Sequence, residues 1–201
     1  FLDALGDILI QRFSETRRRH PLTHVTQDLR EAIDAEREVL AVVSELADLQ
    51  IDTTTLTAAE LVAMIKTRVI NKSAKSISLL FRSFAFKTGV PIDSDFVFDV
   101  RCLPNPYWQK ELRSLSGFDQ PIRDFLDSQP ITTRLVNDIS NFLETWLFEF
   151  EKTDRAYMTV AIGCTGGQHR SVYIVERLST HFSQNYSDVL VRHQEANNLV
   201  G

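Results

Sequence analysis

The sequence predicts an α/β fold made of two successive α/β parts, and three observations predict it. From residue 77 onward, short β-branched and aromatic runs alternate with amphipathic stretches. Strand, helix, strand, helix, strand is the grammar of a parallel or mixed sheet. Before that point Asn71-Lys72-Ser73-Ala74-Lys75-Ser76 is small and polar and reads as a linker, which divides the chain into domains 1–72 and 73–201. Finally, Phe1-Leu2-Asp3-Ala4 lacks an initiating Met and reads as the end of a buried strand with an Asp at its carboxyl edge. The expectation is a chain that begins inside a domain.

Composition bounds the function. The 201 residues suffice for one large domain or two small ones with a real core. Apolar residues at 43% and charged residues at 24% are ordinary for a soluble globular protein. With 22 basic and 27 acidic side chains the net charge is −5, so no global attraction draws the chain to nucleic acid. No apolar run approaches a membrane span. The two cysteines, Cys102 and Cys164, are no disulfide framework, and a reducing cytoplasm is the natural compartment.

Element by element, a short helix covers Ile8 to Phe13, and Pro21 stops the basic run Arg17-Arg18-Arg19-His20. A second helix runs from about Asp28 to Ala47, its apolar stripe being Leu29, Ile33, Leu40, Val43 and Leu46, interrupted by Glu36. Leu49 to Asp52 is a short strand. Thr57-Ala58-Ala59-Glu60 is a capping box that opens a helix to about Ile70. Ile77, Leu79 and Phe81 start the next strand, and Phe96 to Arg101 is another. Two prolines make 103–108 a loop. Pro121 sits near the start of a short helix. Leu135, Ile139, Phe142, Leu143, Trp146, Leu147 and Phe150 pattern a long one. Tyr157 to Ile162 is a buried strand, Ser171 to Phe182 a helix, and Val189 to Val191 the last strand. There is no internal repeat.

The chemistry concentrates in Gly163-Cys164-Thr165-Gly166-Gly167-Gln168-His169-Arg170-Ser171, a loop between a buried strand and a helix. Ligands of α/β sheets bind at the carboxyl ends of strands. The glycines allow close backbone approach, and the helix start offers free N–H groups and a positive dipole end, which suits an anion. Arg170 supplies a fork for phosphate oxygens, and Thr165, His169 and Ser171 further donors. Cys164, Gly167, Arg170 and Ser171 also fit C-x-x-G-x-x-R-S, the phosphate loop of cysteine phosphatases, although the His that precedes that Cys is replaced by Gly163. The alternative is an inert glycine-rich turn. If the strands are neighbours, Asp99, Arg101, Tyr107 and Trp108 line the same crevice; the alternative is that Asp99 and Arg101 form an ordinary ion pair at a strand end and that Trp108 is partly core. Arg17 and Arg18 read either as a lid over nucleotide phosphates or as a solvated basic face. No Walker loop, no G-x-G-x-x-G and no zinc-ligand cluster is present, so neither a metal site nor a catalytic residue is assigned.

Four stretches together resemble one family. They are Arg12 to Leu22, Phe84 to Pro91, Phe98 to Trp108 and Thr159 to Ile174. They identify the chain as similar to the RapZ-like family of bacterial nucleotide-binding proteins, also called RNase adapter proteins. The resemblance implies the C-terminal part of a P-loop kinase-like domain followed by a phosphofructokinase-like α/β domain. It implies ATP or GTP binding, with Mg and weak hydrolysis, for the intact protein, but no cofactor in this chain, whose P-loop segment is missing. It further implies a phosphosugar ligand such as glucosamine 6-phosphate, held by Cys164 to Ser171 with Asp99, Arg101 and Tyr107, and a homo-oligomer. Tyr107 stands where a ligand-contacting His is found in the best-studied branch. The tail from Arg192 lacks the basic cluster associated with RNA, so RNA delivery to a ribonuclease is not carried over. The readings in contention are therefore a regulatory nucleotide- and phosphometabolite-binding protein, an RNA-binding adapter, and a cysteine-type phosphatase with Asp99 as its acid.

Overall fold

The computed structural model describes residues 1–16, 20–24, 28–70, 77–153 and 155–196. The Arg17-Arg18 pair, the 71–76 stretch and the end of the tail lie outside the described residues. Two compact units divide the chain, Phe1–Lys66 and Thr67–Gly201.

In the first unit, β1 (Leu2–Asp3) pairs in parallel with β2 (Ile51–Asp52), Leu2 opposite Ile51. Three helices, α1 (Gly6–Thr16), α2 (Leu29–Glu45) and α3 (Ala58–Ile65), belong to this unit. Asp28 starts α2 by accepting the Arg30 N–H. The capping box forms in both directions: Glu60 N donates to Thr57 Oγ1 at 3.3 Å and Thr57 N donates to Glu60 Oε2 at 2.7 Å. The stripe expected on α2 is only partly core. Ile33 is buried, but Val43 and Leu46 are 55% and 79% exposed. The helix expected to reach Ile70 is α-helical only to Ile65; Lys66–Ile70 widen into a π-helical turn.

The second unit is a parallel sheet of four strands, β3 (Ser78–Ala85), β4 (Phe96–Asp99), β5 (Tyr157–Cys164) and β6 (Val189–His193), in the order β4-β5-β3-β6. The two sheets of the chain are separate. β3 is buried along all 8 residues, polar Ser78, Arg82 and Ser83 included, because it is a central strand. Helices α4 (Gln120–Asp127) and α5 (Pro130–Glu151) open with Pro in their first turn, where its missing N–H costs nothing. Together with α6 (Arg170–Phe182) they contribute Ile122, Ile139, Leu143, Leu147, Val175, Leu178 and Phe182 to a core shared with Phe81, Val160 and Ile162 of the sheet. The register sets Ala85 opposite Cys164, Gly163 opposite Asp99 and Ser83 opposite His193, so the carboxyl ends of all four strands come out on one edge.

Candidate functional site

A cavity of about 280 Å³ opens at that edge. Three loops build it. The tight turn after β3, Phe86–Thr88, contributes Lys87, and the loop after β4 contributes Asn105 and Tyr107. The connection from β5 to α6 contributes Cys164, Thr165, Gly166, Gln168, His169 and Arg170.

The β5–α6 connection is held from beneath. Gly167 adopts φ +69°, a left-handed turn that favours glycine. That turn lets its N–H donate to Cys164 Sγ at 3.2 Å, and Ser171 Oγ lies 3.2 Å from the same sulfur. Cys164 is 2% exposed and Ser171 is fully buried, so both brace the loop from below. Gly163 is needed for a different reason. A Cβ there would collide with Phe84 Cζ and lie 2.6 Å from Phe86 Cε2. Nothing lies within 4 Å of where a Gly166 Cβ would stand.

Arg170 is 4% exposed and faces the loop after β4. Its Nη1 donates to the carbonyls of Arg101 and Leu103, both at 3.0 Å, and Nη2 donates to Thr165 Oγ1 at 3.3 Å. The guanidinium therefore ties two walls of the cavity together and brings its charge to the rim, rather than presenting an open fork. His169 Nε2 lies 2.7 Å from the Leu115 carbonyl, so that nitrogen carries the hydrogen of the neutral ring. Burial pushes the His169 pKa below its ordinary value; the Leu115 bond opposes this and the Arg170 charge adds to it.

Asp99 and Arg101 spend their charges on each other. Arg101 Nη2 and Nε reach the carboxylate at 2.7 to 3.0 Å, and the guanidinium lies 4.0 Å over the Phe86 ring. The Arg101 hydrogen bond holds the Asp99 carboxyl below the usual range. Neither side chain lines the 280 Å³ cavity. Tyr107 does line it and is 51% exposed, edge-on to Trp108 at 6.2 Å. Lys87, Asn105 and Gln168 line it without having been singled out. Lys87 carried a usable signal, a lone cation in the turn that ends a buried strand. A larger cavity of about 820 Å³ lies in the first unit, but its cations are committed, Arg12 to Thr53 and Arg37 to Asp3. Among the described residues no group of three or more His, Cys, Asp or Glu side chains is placed to hold a metal. Among them, too, no helix is long and apolar enough to cross a membrane.

Two family models match the chain in succession. Residues 1–73 match the RapZ-like N-terminal domain and residues 77–197 the RapZ C-terminal domain. A protein of Marinobacter nauticus named "Nucleotide-binding protein" is 54% identical over 199 residues, 99% of this chain and 68% of that protein. Relatives of the same name from Pseudoalteromonas atlantica and Hahella chejuensis are 50% and 51% identical, over 98% and 97% of this chain and 70% and 68% of their own length. With both domains matched in order and half of all residues shared, the chain belongs to the RapZ-like family.

Proposed function

We propose that this is a cytoplasmic regulatory nucleotide-binding protein whose second domain, 73–201, binds a phosphorylated metabolite, an amino-sugar phosphate being the first candidate. The cavity at the carboxyl edge of the sheet carries this reading. It combines Lys87, the buried Arg170, the backbone of a glycine-rich loop and the N-terminus of the 13-residue helix α6. Those are the ingredients of an anion site in an α/β sheet. The relatives are named nucleotide-binding proteins; on our reading the nucleotide is ATP or GTP with Mg, held by the N-terminal domain of the intact protein, which self-associates into a homo-oligomer.

The RNA adapter reading draws no support from a net charge of −5. The phosphatase reading needs Asp99 as an acid, and Asp99 is engaged by Arg101. Isothermal titration with glucosamine 6-phosphate and inorganic phosphate tests the proposal. Binding should be present in the wild type and about ten- to a hundredfold weaker in Arg170→Ala, which loses the charge and the tie to the Arg101 and Leu103 carbonyls. Cys164→Ser should leave most of the affinity. Undiminished phosphate binding by Arg170→Ala puts the site elsewhere.

A further inference from the structure

The end of β6 and the residues after it reach the turns that flank the cavity. His193 anchors it, with Nδ1 2.8 Å from Ser83 Oγ and Nε2 3.0 Å from Glu176 Oε1. Gln194 N donates to the Ser83 carbonyl at 3.1 Å, and Gln194 Oε1 accepts from Arg82 at 3.1 Å. These bonds place the next residue, Glu195, between Thr88 and Gly167, whose chain neighbours Lys87, Gly166 and Gln168 line the cavity. Its Oε1 accepts from Thr88 Oγ1 at 2.7 Å, one residue beyond Lys87. Its Oε2 lies against Gly167, where an added Cβ would collide with it and would stand 2.8 Å from Cδ. Oε2 is enclosed and has no hydrogen-bond partner.

We propose that Glu195 is a positioning and specificity-determining residue of the 164–170 loop, acting in two opposed ways; this rests on reading that loop as an anion site. As a wedge, the side chain sets the gap between the Lys87–Thr88 turn and the Gly167 turn. As a carboxylate, it places a negative charge directly behind the loop. The enclosed Oε2 has no donor to offset its charge, so its field at the loop is attenuated less than that of a fully hydrogen-bonded carboxylate. The wedge strengthens anion binding by holding the walls in place. The charge weakens it, most for the most highly charged anion.

The two effects separate by substitution in the full chain, with inorganic phosphate as the probe and a thermal melt of each variant alongside. Glu195→Gln keeps the shape and the acceptor for Thr88 but removes the charge; phosphate should bind about three- to tenfold more tightly. Glu195→Ala removes the wedge as well, and binding should weaken by about the same factor. Thr88→Val leaves the carboxylate without its Thr88 donor and should weaken binding about threefold. If Gln and Ala weaken binding alike, Glu195 is packing alone and the proposal fails. An unchanged Kd in Glu195→Gln with a binding wild type overturns it without touching the anion reading. Absence of phosphate binding in the wild type overturns the anion reading and this inference with it.

Discussion

The amino and carboxyl edges of the four-stranded sheet both gather charged side chains and treat them differently. At the carboxyl edge, cations and polar groups surround a cavity, and Lys87, Tyr107 and His169 line it. At the amino edge Arg68 is 0% exposed. Its Nη1 donates to Thr159 Oγ1 at 3.3 Å, its guanidinium lies 5.4 Å from the Tyr157 ring centre, and Nε and Nη2 have no hydrogen-bond partner. Burial pushes the Arg68 pKa below its ordinary value, against the raising effect of Asp93, Asp95 and Asp188. Burial likewise pushes the Asp95 carboxyl up, against its bond from Thr159 N–H. The lesson is that a cluster of charges does not identify a site. Arg68 is enclosed on every side, whereas Lys87 and Arg170 border an opening, and it is the opening that motivates the proposed anion site.

That contrast predicts a division of labour among substitutions. The largest effect should come from Arg68→Ala, which empties a fully buried side-chain site and removes the positive charge that Asp93, Asp95 and Asp188 act on. We expect a loss of about 3–5 kcal/mol in urea unfolding, with the phosphate Kd of the folded protein unchanged. A variant that instead loses phosphate affinity while keeping its stability would erase the distinction between the edges.

A smaller effect is expected from pH. Burial lowers the folded-state pKa of His169 and of His193, Glu176 opposing the shift at His193. Each then binds its proton less readily in the fold than in the unfolded chain, whose imidazoles titrate near 6.5. Their contribution is complete above that value. It is lost as pH falls from there toward the folded pKa, by at most about 1.4 kcal/mol per pH unit for each ring. Unfolding midpoints from about pH 7.5 to about pH 5.5 should therefore decline. Replacing His193 by Gln should flatten the decline, and a flat profile in the parent chain would show that the rings are not enclosed as described.

The smallest effect is expected from Asp99→Ala. The Asp99–Arg101 pair is 45% and 48% exposed, so its loss should cost less than about 1 kcal/mol of stability. It should also leave phosphate binding nearly intact. A large loss of affinity would move this pair into the site and sharpen its boundary.

Much of this was legible in the sequence, for local reasons. The Thr57 box and the proline at 121 act within one turn, so their helices start where expected. The 163–171 loop stood out because its glycines, Arg170 and Ser171 make poor core. What was not legible depends on register and on distant partners. Lys87 joins the cavity only because Ala85 lies opposite Cys164. The sequence announces a cation at 170 but not that Arg101 and Leu103 hold its donors. The burial of Arg68 likewise depends on partners distant in sequence, Thr159 and Tyr157. Val43 and Leu46 fit an apolar stripe, yet periodicity cannot say how much of a stripe finds a partner.

Gly163 has a consequence that reaches the surface. Because it carries no side chain, the rings of Phe84 and Phe86 can lie against β5, and the Arg101 guanidinium rests on Phe86 at 4.0 Å. The position of a half-exposed charge thus depends on a missing methyl group in a buried strand. These positions are free to vary only in concert. A side chain at 163 would meet the rings at both 84 and 86, and where Phe86 gave way Arg101 would lose the ring it rests on.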